Sequence, residues 1–333
     1  MKKILLFLLG LTIASVQTYA DTRAQALLLH NGQGKSFDAD QLQQAVNEAV
    51  ASDTIYLSEG TFDSNEALSI GKKITILGAG DACRIRGNVN IVVEDATVIG
   101  SLTISGIHIT GDLFVEKDFR GLIISKCWIG GQFYALGNLY DARLDRCYIN
   151  HFRPSKYTKS VLCFSCIIYE IWDVLSAGTG TSSKGTEITF MNCNIGKIDS
   201  SYSMQDVTFI NCISMYSFTS SYLKFNTHIY SLYAGTPTSN NGDVVQNCYG
   251  DSKLTVTRTN NDNFPLFNLN NIAITPELLI EKGYVGNDGT AVGAYGGATP
   301  YSLTPDGISI KESVLRVDPE TRKLNVTLKV ATE

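Results

Sequence analysis

The sequence predicts an all-β chain wound as a single-stranded parallel β-helix, and three observations carry that expectation. A template of apolar, any, apolar, any, any, Cys, any, apolar recurs at residues 122–129, 142–149, 161–168, 188–195 and 207–214, departing only at Ser214. Residues 102–109 fit it with Ile107 in the cysteine's place, and the starts are separated by 20, 20, 19, 27 and 19 residues. Such self-similarity marks stacked supersecondary units. Finally, 16 Tyr and 14 Phe against 2 Trp favour strands over helices.

Within the template, apolar positions two apart describe a strand with one face inward, and the three-residue step to Cys resets the phase through a bend. The bend residue is Gly106, Asn192, Asn211 and Asn247 in four coils. These residues tolerate a left-handed backbone, so a ladder of equivalent bends is expected. Units of about 20 residues cannot each form a sandwich; stacked, they pair backbone to backbone at roughly 4.8 Å. Cys127, Cys147, Cys166, Cys193 and Cys212 then form one inward column of reduced thiols, and Cys163 joins the column of Ile104, Ile124 and Phe190. On this reading Cys147→Ser brings a hydroxyl into an apolar column and costs roughly 1 to 3 kcal/mol.

The ends of the stack need covers. In residues 38–51, Leu42, Ala45, Val46, Ala49 and Val50 follow helical spacing, with Asp38 or Asp40 as N-cap, which predicts a helix laid across the first coil and Gln43 on its outer surface. Residues 288–297 (DGTAVGAYGG) read as a glycine-rich closing segment. Residues 308–317 and 324–330 alternate apolar and polar around a turn at 318–321, a β-hairpin that either closes the far end or forms an appendage.

Residues 1–20 combine Lys2 and Lys3, an apolar run from Ile4 to Ala14 and small residues before position 21, the pattern of a secretory signal peptide. The division expected is therefore 1–20 signal peptide, 21–300 β-helix and 301–333 hairpin or small appendage. Later apolar runs are too short for a transmembrane segment. Removing the leader leaves 25 basic against 32 acidic residues, which argues against a nucleic-acid partner. An exported location follows, whether periplasmic, cell-surface or extracellular.

Residues 53–62 (DTIYLSEGTF), 74–80 (ITILGAG) and 292–297 (VGAYGG) resemble the pectin-lyase-like, right-handed parallel β-helix superfamily. Together with Pro300-Tyr301 and a terminal KLNVTLKV strand at 323–330, the chain is similar to secreted β-helix proteins of Bacteroidetes. The resemblance implies right-handed winding over residues 25–333 and leaves activity open, because one fold hosts many functions. The superfamily's catalytic signatures are not found: no polygalacturonase paired Asp with Gly-His-Gly, no esterase Gln-Asp-Thr, and Arg153-Pro154 without the lyase's second Arg. His30, His108, His151 and His228 are spaced for no shared metal site, and no cofactor is implied.

Two groups of residues attract a binding role. Lys126 and Arg146 share one template position in adjacent coils, with Arg143, Asp141 and Asp145 close by. They read either as a site for a uronate carboxylate or sulfate, or as a solvated face neutralised by the aspartates. Trp128 and Tyr148 share the position after Cys, with His108 one coil earlier, and read either as a platform for sugar rings or as lateral packing under a long loop. The polar insertion at 176–185 would wall the same face. The functional expectation is an exported, non-catalytic β-helix that contacts a polysaccharide or other surface polymer; the alternative is a polysaccharide lyase or glycoside hydrolase with an unrecognised site.

Overall fold

The computed structural model describes residues 24–63, 66–93, 100–155, 158–172, 187–198, 204–216, 218, 223–239, 242–258, 264–304, 308–317 and 324–332. Residues 1–20, expected to be a signal peptide, and the expected insertion at 176–185 lie outside these residues. The chain winds as a right-handed parallel solenoid of about eight turns. Most turns contribute one strand to a first sheet and one or two to a second. The repeat sets the register directly: Ile104, Ile124, Leu144, Cys163, Phe190, Phe209 and His228 are successive partners along one inward column of the first sheet. In early coils the second sheet has two strands per turn, such as Cys83–Arg86 and Val89–Ile91; from Trp128–Ala135 onward they fuse around a register shift between Ile129 and Gln132. Gly130, Asn150, Tyr169 and Gly196 mark that second corner.

The first corner is the bend before Cys. Gly106, Lys126, Arg146, Ser165, Asn192, Asn211, Tyr230 and Asn247 all take φ between 48° and 66°. A left-handed non-glycine residue costs about 1 to 2 kcal/mol, and the cysteines show how the corner is sustained. Cys147 Sγ donates to Asp145 O at 3.4 Å and to Ile124 O of the preceding coil at 3.5 Å. Cys166, Cys193 and Cys212 each repeat this pair of bonds at 3.3 Å. Thus the column is more than apolar filler: each thiol adds a second donor to a corner carbonyl that already accepts a backbone N–H of the preceding coil, such as Asp145 O from Lys126 N at 2.8 Å. All eight cysteines are free. Burial pushes the Cys127 thiol up to about 12, so it stays protonated.

A later coil also departs from the cysteine template. At residues 226–233 Ser231 occupies the thiol's place, donating to Ile229 O at 3.0 Å and accepting from Cys212 N at 3.0 Å. A hydroxyl therefore finds partners at this corner, which corrects the expectation that serine would be stranded there.

At the N-terminal end, Ala39–Gln41 forms a 3-10 turn and Leu42–Glu48 an α-helix. Leu42, Ala45, Val46 and Ala49 are buried as expected, whereas Val50 is 48% exposed because the helix ends at Ala49 with ψ 146°. Gln43 is an anchor rather than a surface position: its amide bonds both Ser69 O (3.0 Å) and Ser69 N (2.7 Å). Beside the helix, Gln25–His30 and Gln33–Asp38 form an antiparallel hairpin that extends the first sheet.

The glycine-rich segment belongs to a longer run that lies along the outside of the solenoid. After Tyr249–Gly250 the chain turns back along the outside of the second sheet as a strap. It forms the antiparallel strands Leu254–Thr257, Leu266–Leu269 and Ile272–Ala273, then the helix Pro276–Glu281, whose first turn is capped by Thr275 Oγ1 accepting from Leu278 N at 3.2 Å. Residues 286–301 next run along the first corner: Gly293 N donates to Asn211 O at 2.6 Å, Ala294 N to Asn194 Oδ1 at 2.9 Å, and Ser165 Oγ to Thr299 O at 2.8 Å. Gly293 has φ +91°, and a Cβ there would collide with Asn194 and Ile213, so glycine is required. The strap encloses a second core in which Tyr148, Ile167, Ile213 and Leu232 of the second sheet meet Leu254, Phe267, Leu279 and Val292. Last in sequence, Ile308–Val317 pairs antiparallel with Leu324–Thr332, the expected hairpin.

Candidate functional site

The strap decides where the residues singled out from sequence end up. Lys126 occupies a left-handed corner and is 4% exposed, not outward. Arg146 occupies the next corner and bonds Asp145 Oδ2 through Nη2 at 2.8 Å and Nε at 3.1 Å. Arg143 stands on the outer face of the first sheet, exposed, 3.7 Å from Asp145 Oδ1. Asp145 thus accounts for both arginines. Trp128 and Tyr148 lie on a different face: they stack at 4.4 Å, with His108 5.3 Å beyond Trp128, but Phe264 of the strap meets both rings at 5.8 and 5.3 Å. Tyr148 is 1% exposed. The five residues therefore divide between a corner and two faces, and the strap roofs the aromatic column.

Past the second corner the same coils present a face of different composition. Two outer columns run side by side there. The first is a polar ladder in which Gln132, His151, Glu170 and Lys197 are in-register partners. Asp112 extends it by one coil, its Oδ1 accepting from Gln132 N at 2.6 Å. The second is a ring column of Phe114, Tyr134 and Arg153, also in register, with Trp172 one coil further. The residues alternate with buried Phe133, Phe152 and Ile171, which is why they face out.

Geometry within the two columns is close. Phe114 and Tyr134 have ring centroids 6.0 Å apart, and the Arg153 guanidinium lies 4.3 Å over the Tyr134 ring. His151 packs on Trp172 at 4.1 Å and its Nε2 is 3.5 Å from Glu170 Oε2. Glu170 is 5% exposed and also pairs with Lys197. From the edge of the strap, Arg258 bonds Asn150 Oδ1 at 2.6 Å and lies 4.4 Å over the Tyr169 ring. Burial holds the His151 imidazole below its ordinary pKa, against the opposing pull of Glu170, so it is neutral near pH 7.

Phe114, Tyr134, Arg153, Trp172, Gln132 and His151 are all half-buried, so their faces reach solvent while their positions are fixed by neighbouring coils. This arrangement offers flat rings beside hydrogen-bonding and charged groups, repeated at the coil spacing. Among the described residues no three His, Cys, Asp or Glu side chains converge as a metal-holding group. No family model matches the chain, and no curated protein matches it either.

Proposed function

We propose that the protein is an exported β-helix of the pectin-lyase-like kind that contacts a linear glycan along the ring column and polar ladder, without transforming it. One observation carries the reading: Phe114, Tyr134, Arg153 and Trp172 are spaced along consecutive coils directly beside Gln132, His151, Glu170 and Lys197. A rigid stack with coils about 4.8 Å apart repeats its contacts along one direction, which suits an extended polymer better than a compact ligand. Ring faces pack on sugar C–H surfaces, and the ladder supplies amide, imidazole and charged partners for hydroxyls or acidic groups. Export rests on the N-terminal pattern of residues 1–20.

The neutral His151 at 3.5 Å from Glu170 supports a second reading as a lyase or hydrolase, since an imidazole poised beside a carboxylate can move a proton. Both readings meet one experiment, a panel of acidic and neutral oligosaccharides assayed for binding and for released product. Wild type binds, Tyr134→Ala/Trp172→Ala weakens binding at least about tenfold, equivalent to about 1.4 kcal/mol, and Arg143→Ala on the first sheet leaves it unchanged. Binding that survives the double change overturns the proposed face. Product that disappears in His151→Ala while binding persists establishes the enzyme reading instead.

A further inference from the structure

The outer face of the first sheet carries an apolar stripe of its own. Phe164, Met191, Ile210 and Ile229 are in-register partners on consecutive coils, Leu162 stands beside Phe164, and all five are half-buried. The four partners each immediately precede a left-handed corner residue, so the stripe runs along the corner that the strap tracks. Ser165, next to Phe164, holds Thr299, and the strap leaves the solenoid within a few residues of that point.

The C-terminal hairpin comes directly after the strap, and its register is informative. Apolar residues fall at even positions early in its first strand (Ile308, Ile310) and at odd positions later (Leu315, Val317), a pattern that in a regular strand would split them between two faces. The strand pairing has a register shift between Ile310 and Glu312, which reverses the phase. As a result Ile310 opposes Val330, Leu315 opposes Val326 and Val317 opposes Leu324, all at register positions of one face of the ribbon. The opposite face carries register positions such as Glu312, Arg316, Asn325 and Thr327. A bulge that gathers apolar positions onto one face serves a ribbon that is covered on that face, and an isolated two-stranded ribbon is marginal in water.

We infer that the hairpin lays its apolar face on the Phe164–Ile229 stripe of the same chain, forming a second layer over the first sheet. The tether favours this occupant over a second copy: Thr299 is held at Ser165 beside the stripe, and only a few residues after Tyr301 separate the strap from the hairpin, which raises the effective concentration of the intramolecular partner. The ribbon's strands, at 10 and 9 residues, are long enough to cross the coils of the stripe.

Met191 lies within the stripe, and Met215, half-buried in the second core under the strap, provides an internal reference. The test measures peroxide oxidation of both methionines in the full chain by peptide mass spectrometry, with Val326→Glu/Leu328→Glu on the apolar face of the hairpin and Asn325→Glu/Thr327→Glu on the other. The apolar-face variant is expected to oxidise Met191 several-fold faster with Met215 unchanged, the other variant to behave as wild type, and wild-type protection to be independent of protein concentration. A reciprocal variant on the stripe, Ile210→Glu, is expected to speed tryptic cleavage at Arg316 and Lys329. Equal Met191 rates in wild type and the apolar-face variant overturn the inference. So does equal acceleration by both hairpin variants, and so does protection that vanishes on dilution, which assigns the stripe to a second copy.

Discussion

The two halves of the second sheet are built by the same coils and differ in fate. Just after the cysteine corner the outer column reads His108, Trp128, Tyr148, Ile167, Asn194, Ile213, Leu232, and the strap covers it partly at Trp128 and fully from Tyr148 onward. A few residues later the ladder reads Gln132, His151, Glu170, Lys197, with rings beside it, and all of it but the buried Glu170 reaches solvent. The difference teaches that in a solenoid exposure is a property of columns. A column that repeats apolar residues calls for a cover, whereas a column of polar groups braced by half-buried rings is stable without one.

That contrast breaks most sharply under a charge. Tyr148→Asp places a carboxylate beneath Phe264 and Tyr301 and should cost more than about 3 kcal/mol, while Tyr134→Asp in the open column should cost under about 1 kcal/mol; chemical denaturation of the two variants compares them. Leu42→Asp is the same experiment at the N-terminal end. It forces a charge against the first coil, and loss of the helix exposes a strand edge, so the variant should aggregate while Gln44→Asp remains dispersed, as followed by light scattering.

Histidines extend the comparison to pH. His228 is fully buried in the lumen, stacked on Phe209 at 5.0 Å, with Nδ1 2.7 Å from Tyr233 Oη and Nε2 3.9 Å from Asp243. Burial holds its pKa below the ordinary 6.5, only partly offset by Asp243. The unfolded chain then takes up a proton that the folded chain refuses. Stability is therefore intact above about pH 6.5 and falls below it, by up to about 1.4 kcal/mol for each pH unit until the folded chain also protonates. His228→Phe should flatten this slope between about pH 7 and 5. His151 has its pKa lowered in the same direction but is half-exposed, and His151→Phe should alter the slope less.

The smallest effect belongs to the corner itself. Because Ser231 already occupies the cysteine position with both hydrogen bonds made, Cys147→Ser should cost under about 1.5 kcal/mol, whereas Cys147→Ala removes both thiol hydrogen bonds and leaves a void in a packed column, and should cost more. Urea midpoints of the two variants rank them.

The repeat, the corner ladder, the inward thiol column, the cap helix and the terminal hairpin are all legible in the sequence, because period-2 alternation and left-handed bend residues report on local structure. Three things are not. The hairpin Gln25–His30/Gln33–Asp38 turns at Asn31-Gly32, both with positive φ, a two-residue signal that gives no warning of where the ribbon packs. The coil at 226–233 hides because Asn226 and His228 stand at two of the template's apolar positions and Ser231 at its cysteine. Most consequentially, the strap's partners lie up to 134 residues away, as for Ser165 and Thr299, and no periodicity encodes a non-repeating segment lying over a repeating one. Template position alone therefore places Lys126 and Tyr148 at the surface, and it is silent on the ladder past the second corner, where Gly130-Gly131 breaks the alternation.

The chain holds two tryptophans, one in each region: Trp128 beside the strap and Trp172 in the open ring column. Single-tryptophan variants, Trp128→Phe and Trp172→Phe, titrated with the oligosaccharide that binds wild type, read the two regions separately by fluorescence. A saturable change in emission from Trp172 is expected in the Trp128→Phe protein, and a flat response from Trp128 in the Trp172→Phe protein. A response from Trp128 with Trp172 silent would contradict that expectation, placing the contact at the roofed column after all.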